Sequence, residues 1–219
     1  MMFKSLKLYH YPLTRSVRVK WMLHEVLDED FEVEVVPVIR GAMQTPEMLA
    51  KNPNHNLPML DITWADGSEQ TMLESGAMVL WLADAFPEKQ LAPPVEVTQA
   101  RADYLQMVLF NASWMDMVLW QIRLHRDLLP RGLRQTSIAE MNTRKWAKEI
   151  EPQLAERLHK SKFICGDQFS AADCIAGHNV RWAQSYGLCE DMVFQAYLNR
   201  LATRPAYISA YSDADQFGQ

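Results

Sequence analysis

The sequence has no run of lysine and arginine, and its formal charge is −5 over 219 residues. Phosphate backbones are held by clustered basic side chains, so no nucleic-acid partner is expected. No uninterrupted apolar stretch reaches the roughly 20 residues that cross a bilayer, so no membrane partner is expected either. Met1 to Ser5 run straight into a strand pattern and lack the apolar core of a signal peptide. Cysteine is scarce: Cys165, Cys174 and Cys189 are dispersed, and none forms a C-x-x-C pair. Three cysteines cannot all pair within one chain, which fits a reduced, cytoplasmic setting. The missing dithiol also argues against a thioredoxin-type oxidoreductase. The six histidines are scattered without metal-ligand spacing, so no metal is expected.

What is present is a sizeable core, with 48% hydrophobic residues. Residues 4–10 read as a strand, and Arg15 to Leu27 as a helix with Val19, Met22, Leu23 and Val26 in one stripe. The run from Phe31 to Val35 alternates and reads as a strand. After a long connector come two strands, Met59 to Thr63 and Glu69 to Leu73, joined by an Ala65-Asp66-Gly67 turn. Ser75 to Phe86 is helical and stops at Pro87. The order β-α-β then β-β-α predicts an α/β thioredoxin-like N-terminal domain over 1–87. Residues 88–97 hold prolines and no period, and read as the linker. Residues 98–219 predict an all-α C-terminal domain, with helical blocks over 98–129, 137–160, 170–186 and 191–203. Pro152 is expected to kink the second block or to open a helix after a break. Ser170 and Asp173 fit a helix-start box, a folding device rather than a site.

Leu57-Pro58 lies between a polar turn, Asn52 to Asn56, and the apolar run that opens with Met59. X–Pro costs only about 0.5–1 kcal/mol to be cis, and a cis Pro58 at a strand start is expected. Such a bend turns the Leu57 backbone outward, where it can pair with a peptide. Glu74-Ser75 falls at a helix start, where free N–H groups and a hydroxyl suit a carboxylate. Together they form a seat for a small acidic peptide.

Four segments in order carry a family resemblance over nearly the whole chain. They are Leu6 to Val19, the N-P-x-x-x-[VL]-P segment Asn52 to Pro58, the Glu74-Ser75 pair, and Gly166 to Asp173 as G-x-x-[FL]-[ST]-x-A-D. The chain resembles the glutathione transferases, although His55 stands where that family usually has glycine. The resemblance implies glutathione as co-substrate, a small electrophile as partner, a homodimer, and catalysis by a stabilised thiolate. A thiol of pKa about 8.5 is mostly protonated at neutral pH, and a hydroxyl at a helix start stabilises its anion. Thr14 and Ser16 are the two candidates in the first turn. Many members of the family carry Ser or Tyr there. Tyr11 is a further hydroxyl, and Arg15 could approach the sulfur or the substrate.

The resemblance also implies that Ser75 holds the γ-glutamyl carboxylate, with Glu74 orienting the α-amino group. Asn56, and more weakly Arg40, are candidates for the glycyl end. Asn111, Trp114, Met115 and Val118 recur at helical spacing and either line an acceptor pocket or form plain core. Two other readings remain open. One is a glutathione-binding module without turnover. The other is a peroxidase or disulfide reductase that runs on glutathione's own thiol.

Overall fold

The computed structural model describes residues 3–38 and 41–217. They fall into two compact units, one made of Met1–Gln90 with Ala202–Gln219, the other of Leu91–Leu201. The chain's last stretch therefore belongs with the first unit, whereas the sequence reading placed it in the helical domain.

The first unit is a four-stranded sheet with helices. Its elements are β1 (Phe3–His10), α1 (Ser16–Leu27), β2 (Glu32–Val35), α2 (Pro46–Lys51), β3 (Met59–Trp64), β4 (Glu69–Met72) and α3 (Ser75–Ala85). The strand order is β2-β1-β3-β4. β1 pairs parallel with β2, Leu8 opposite Val33, and antiparallel with β3, Leu8 opposite Leu60. β3 and β4 close a hairpin with Asp61 opposite Thr71. This is the thioredoxin-like arrangement. Gly67 takes the left-handed conformation that its turn demands (φ +88°).

Leu6, Leu8, Leu60 and Ile62 are buried, as are Val17, Trp21, Met22 and Leu23 of α1. α1 is buried from Ser16 to His24, so the apolar stripe read from the sequence understates its enclosure. Part of that cover is α10 (Pro205–Ala210), which the sequence reading missed; Tyr207 meets Trp21 edge-on at 5.0 Å. Arg204 grips Glu25 with two hydrogen bonds of 2.7 Å each, fixing the start of this stretch to α1.

The helical unit holds α4 (Gln99–Leu109), α5 (Asp116–Arg123), α6 (Thr136–Lys145), α7 (Glu151–Lys160), α8 (Ala171–Gln184) and α9 (Met192–Leu201). Wider π-helical turns at Phe110–Met115 and Trp146–Ile150 join α4 to α5 and α6 to α7. Pro152 sits in the first turn of α7, directly after such a break, where its missing N–H costs nothing. α8 runs through the core and is buried from Ala171 to Val180. Its start is the expected box. Asp173 Oδ2 accepts the Ser170 N–H and hydroxyl, and Oδ1 accepts the Ile164 N–H and the Tyr197 hydroxyl. Burial pushes this enclosed carboxyl up, and those four donors pull against it.

Candidate functional site

Strand alternation sends neighbouring residues of β1 to opposite faces. Tyr9 and, beyond the strand, Tyr11 join Val36, Met43, Leu57 and Met59 in one apolar cluster. Tyr9 donates to Asp61 Oδ2 at 3.0 Å, and the Tyr11 ring is buried 5.8 Å from that of Phe217. His10 points the other way, into the space under α1.

Between β1 and α1 the chain turns sharply. Leu13 takes φ +55°, a region that bulky residues seldom occupy and that clusters at functional sites. Thr14 is half-buried, and Ser16 is fully buried as the first residue of α1. Thr14 Oγ1 donates to the Tyr11 carbonyl at 2.8 Å and lies 2.9 Å from Ser16 Oγ. Ser16 Oγ accepts the Tyr11 N–H at 3.1 Å, lies 3.0 Å from the Tyr11 carbonyl, and meets His10 Nδ1 at 2.7 Å. The other ring nitrogen, Nε2, is 3.1 Å from Asp213 Oδ2, which also takes Lys20 Nζ at 2.6 Å. Arg15, partly exposed, sits at the mouth of the helix in the cap position without a side-chain cap bond.

Burial lowers the affinity of His10 for a proton, although the Asp213 hydrogen bond and charge oppose it. Burial alone would raise Asp213, but hydrogen bonds from His10 and Lys20, with their charges, outweigh it and hold the carboxyl at about 2. At neutral pH this is a neutral imidazole beside an ionised, lysine-paired carboxylate.

The second part of the site is the start of α3. Glu74 is exposed, in the cap position, with φ +72°, and Ser75 is the first helical residue. Arg18, fully buried on α1, donates to Ser75 Oγ at 3.3 Å. Because Ser75 accepts there, its own proton is available to a ligand, and a positive charge stands behind it.

The third part is the loop before β3. Leu57–Pro58 is cis, as the sequence led us to expect. Buried Asn52 organises the preceding turn: its amide donates to the Asn56 carbonyl and to Asn56 Oδ1, and its oxygen accepts the Asn54 N–H. Exposed Asn56 thus keeps its NH₂ group for other partners. His55 has φ +43°, which explains the glycine usual at this position; His is among the residues that tolerate the left-handed region. Arg40 lies outside the described residues.

Of the helical stripe, Asn111, Met115 and Val118 are buried. Asn111 accepts the Asn179 amide on its carbonyl and donates to Met107 O, tying the wider turn to α8 and α4. Trp114 is partly exposed, with Lys145 Nζ 4.5 Å over its ring.

Cys165 and Cys189 offer no thiolate at neutral pH. Cys165 and Cys189 are both pushed up to about 12 by burial. Among the described residues no group of three His, Cys, Asp or Glu could hold a metal, and no helix is long and apolar enough to cross a membrane.

Arg18, His10, Lys20 and Asp213 were not singled out from the sequence. Arg18 and Lys20 carried a weak signal, two basic residues inside an apolar helix. Nothing local marks Asp213 as a partner of His10, 203 residues away.

Comparison with known proteins finds relatives of this chain. The family model described as "Glutathione S-transferase, N-terminal domain" matches residues 8–90. Glutathione S-transferase 3 of Zea mays is 31% identical over 175 residues, covering 77% of this chain and 73% of the maize protein. The disulfide-bond oxidoreductase YfcG of Escherichia coli is 26% identical, with 91% of each chain covered. A glutathione transferase of Burkholderia graminis, solved with two glutathione molecules bound per subunit, superposes with a TM-score of 0.81 at 25% identity, over 98% of this chain and 90% of its own.

Proposed function

Since the chain belongs to the glutathione S-transferase family, we propose that it binds glutathione on its N-terminal unit and ionises the thiol for attack on a small, apolar electrophile. The observation that carries this reading is the hydroxyl arrangement at the start of α1. Ser16 is enclosed and surrounded by partners, while Thr14 is accessible. Thr14 is therefore the group that contacts the sulfur, and Ser16 supports it from behind. A donor to the charged form, together with the helix terminus, lowers a thiol pKa. Leu57 and Pro58 seat the cysteinyl backbone, Ser75 backed by Arg18 takes the γ-glutamyl carboxylate, Glu74 faces the α-amino group, and Asn56 faces the glycyl end. Trp114 is the member of the helical stripe available to an acceptor. The working form is a homodimer, the commonest soluble assembly.

A second reading has its own support. The E. coli relative named as a disulfide-bond oxidoreductase matches along 91% of the chain. In that reading glutathione thiolate attacks a disulfide sulfur and expels a thiolate, which takes up a proton. A second glutathione then resolves the mixed disulfide. The N-terminal unit has no cysteine of its own, so both sulfurs come from glutathione.

Retention on immobilised glutathione, followed by turnover against an aryl halide, an epoxide and a small disulfide, tests these readings. Retention with turnover of a carbon electrophile supports the transferase. Turnover of the disulfide alone supports the reductase. Retention without any turnover means a binding module, and no retention overturns the seat. Sedimentation showing only monomer at micromolar concentration would contradict the dimer.

A further inference from the structure

We propose that the proton leaving the glutathione thiol is taken up by His10, passed through the hydroxyls of Thr14 and Ser16, with Asp213 from the C-terminal stretch holding the resulting imidazolium. This rests on the glutathione reading above and deepens it.

The hydrogen-bond geometry gives the chain a direction. Ionised Asp213 only accepts, so His10 Nε2, 3.1 Å away, carries the ring proton. Nδ1 of the neutral ring is then a bare acceptor, and the single Ser16 proton has two acceptors in reach, Nδ1 at 2.7 Å and the Tyr11 carbonyl at 3.0 Å, of which the nearer is His10. Ser16 has a single proton, so toward Thr14 at 2.9 Å it presents a lone pair. The Thr14 hydroxyl rests on the Tyr11 carbonyl at 2.8 Å and must turn to Ser16, 2.9 Å away, to pass its proton on; once it turns, each hydroxyl donates toward His10, and a thiol placed at Thr14 stands at the head of the line.

The step balances. The S–H bond breaks and its proton passes to Thr14 Oγ1. Thr14's own proton passes to Ser16 Oγ, and Ser16's to His10 Nδ1. Both hydroxyls end neutral, the sulfur carries one negative charge, and the imidazolium one positive charge. Once the sulfur has bonded to its acceptor, the proton returns by the same path to the anion formed there. The arrangement is that of a serine–histidine–aspartate triad lengthened by one hydroxyl, the carboxylate fixing the tautomer and steadying the cation.

The charged groups facing His10 are Asp213 from the C-terminal stretch, which favours the imidazolium, and Lys20 from α1, which opposes it. In the free protein burial keeps the ring neutral, as an acceptor must be. A thiolate at the head of the line adds a second nearby negative charge. By linkage, thiolate formation and His10 protonation then favour each other.

A purely structural His10, stitching the C-terminal stretch to α1, would keep the same protonation state with and without glutathione. Calorimetry in two buffers of different ionisation heat counts protons released on binding near neutral pH. Ultraviolet thiolate absorbance counts thiolates formed. The wild type should release clearly fewer protons than thiolates formed. Ser16→Ala, Asp213→Asn and His10→Gln should each raise that ratio roughly twofold or more, toward one proton for every thiolate, and Asp213→Glu should restore it. Nitrogen NMR of wild-type His10 needs no variant to fold. It should show the neutral Nε2–H tautomer in the free protein and imidazolium character with glutathione bound. A wild type that binds and ionises glutathione, yet releases every proton and keeps His10 neutral, overturns the relay alone. A wild type that does not bind glutathione overturns the functional reading beneath it.

Discussion

Ser75→Ala probes the proposed carboxylate seat at one atom. Ser75 Oγ accepts from buried Arg18 at 3.3 Å, so its proton is directed away from the guanidinium and toward a ligand. Removing the oxygen leaves the N–H groups of α3 and the Arg18 charge in place. What goes is one charge-assisted hydrogen bond, worth about 1.5–3 kcal/mol. At about 1.4 kcal/mol per decade this is a loss of roughly 10- to 150-fold in glutathione affinity. The remaining charge and helix dipole continue to attract the carboxylate, which favours the lower half of that range. In the proposed pose the sulfur end is remote from Ser75, so the thiolate midpoint should stay near its wild-type value. Calorimetric titration and thiolate absorbance on the same variant measure the two quantities separately. A glutathione analogue with the γ-glutamyl carboxylate amidated completes a double-mutant cycle: it should bind wild type and Ser75→Ala almost alike. If Ser75→Ala binds glutathione within about twofold of wild type, or loses the amidated analogue equally, the seat is misassigned.

Three further outcomes follow from named contacts. Thr14→Val removes the half-buried donor and should raise the midpoint of bound-thiol ionisation by roughly one to two pH units, the worth of one hydrogen bond to a charge, while Thr14→Ser should stay close to wild type; a thiolate titration unmoved by Thr14→Val would shift the role to backbone N–H groups. Asp173→Asn keeps one oxygen for two of the four donors now converging there and strands the others in the core; relief of the buried charge offsets part of that, and a net loss of about 2 kcal/mol is expected in urea unfolding, with a loss under about 0.5 kcal/mol refuting the donor count. The depressed Asp213 carboxyl stabilises the fold above the unfolded-state value near 3.8 and loses that contribution as pH falls toward about 2; the stability gap between wild type and Asp213→Asn should accordingly narrow from pH 6 to about pH 2, and a constant gap would mean that the ion pair contributes nothing.

The sequence by itself determined the elements and their order. Apolar period distinguishes strand from helix, and the segments 59–64, 69–72 and 75–85 are bounded by proline, glycine and a polar turn, signals that act within a few residues. Local chemistry also made the Ser170–Asp173 box and the strand-opening Pro58 legible, and it narrowed Pro152 to a kink or a first-turn place after a break, of which the structure has the second. Two short helices escaped. α2 (Pro46–Lys51) and α10 (Pro205–Ala210) are six residues each, too short to display a period.

Only the tertiary structure decided which hydroxyl faces outward and what stands behind it. Thr14 and Ser16 look alike in the sequence. They differ because strand alternation turns His10 under α1, where it meets Ser16 and draws in Asp213. Arg18 reads as an interruption of an apolar stripe until α3 brings Ser75 to its tip. The stripe at Asn111, Met115 and Val118 was equally ambiguous, because periodicity reports which residues share a face and not whether that face meets core or cavity. Hydrogen-bond partners dozens to hundreds of residues apart leave no local trace, since their pairing is set by how elements pack and not by the propensities of either segment.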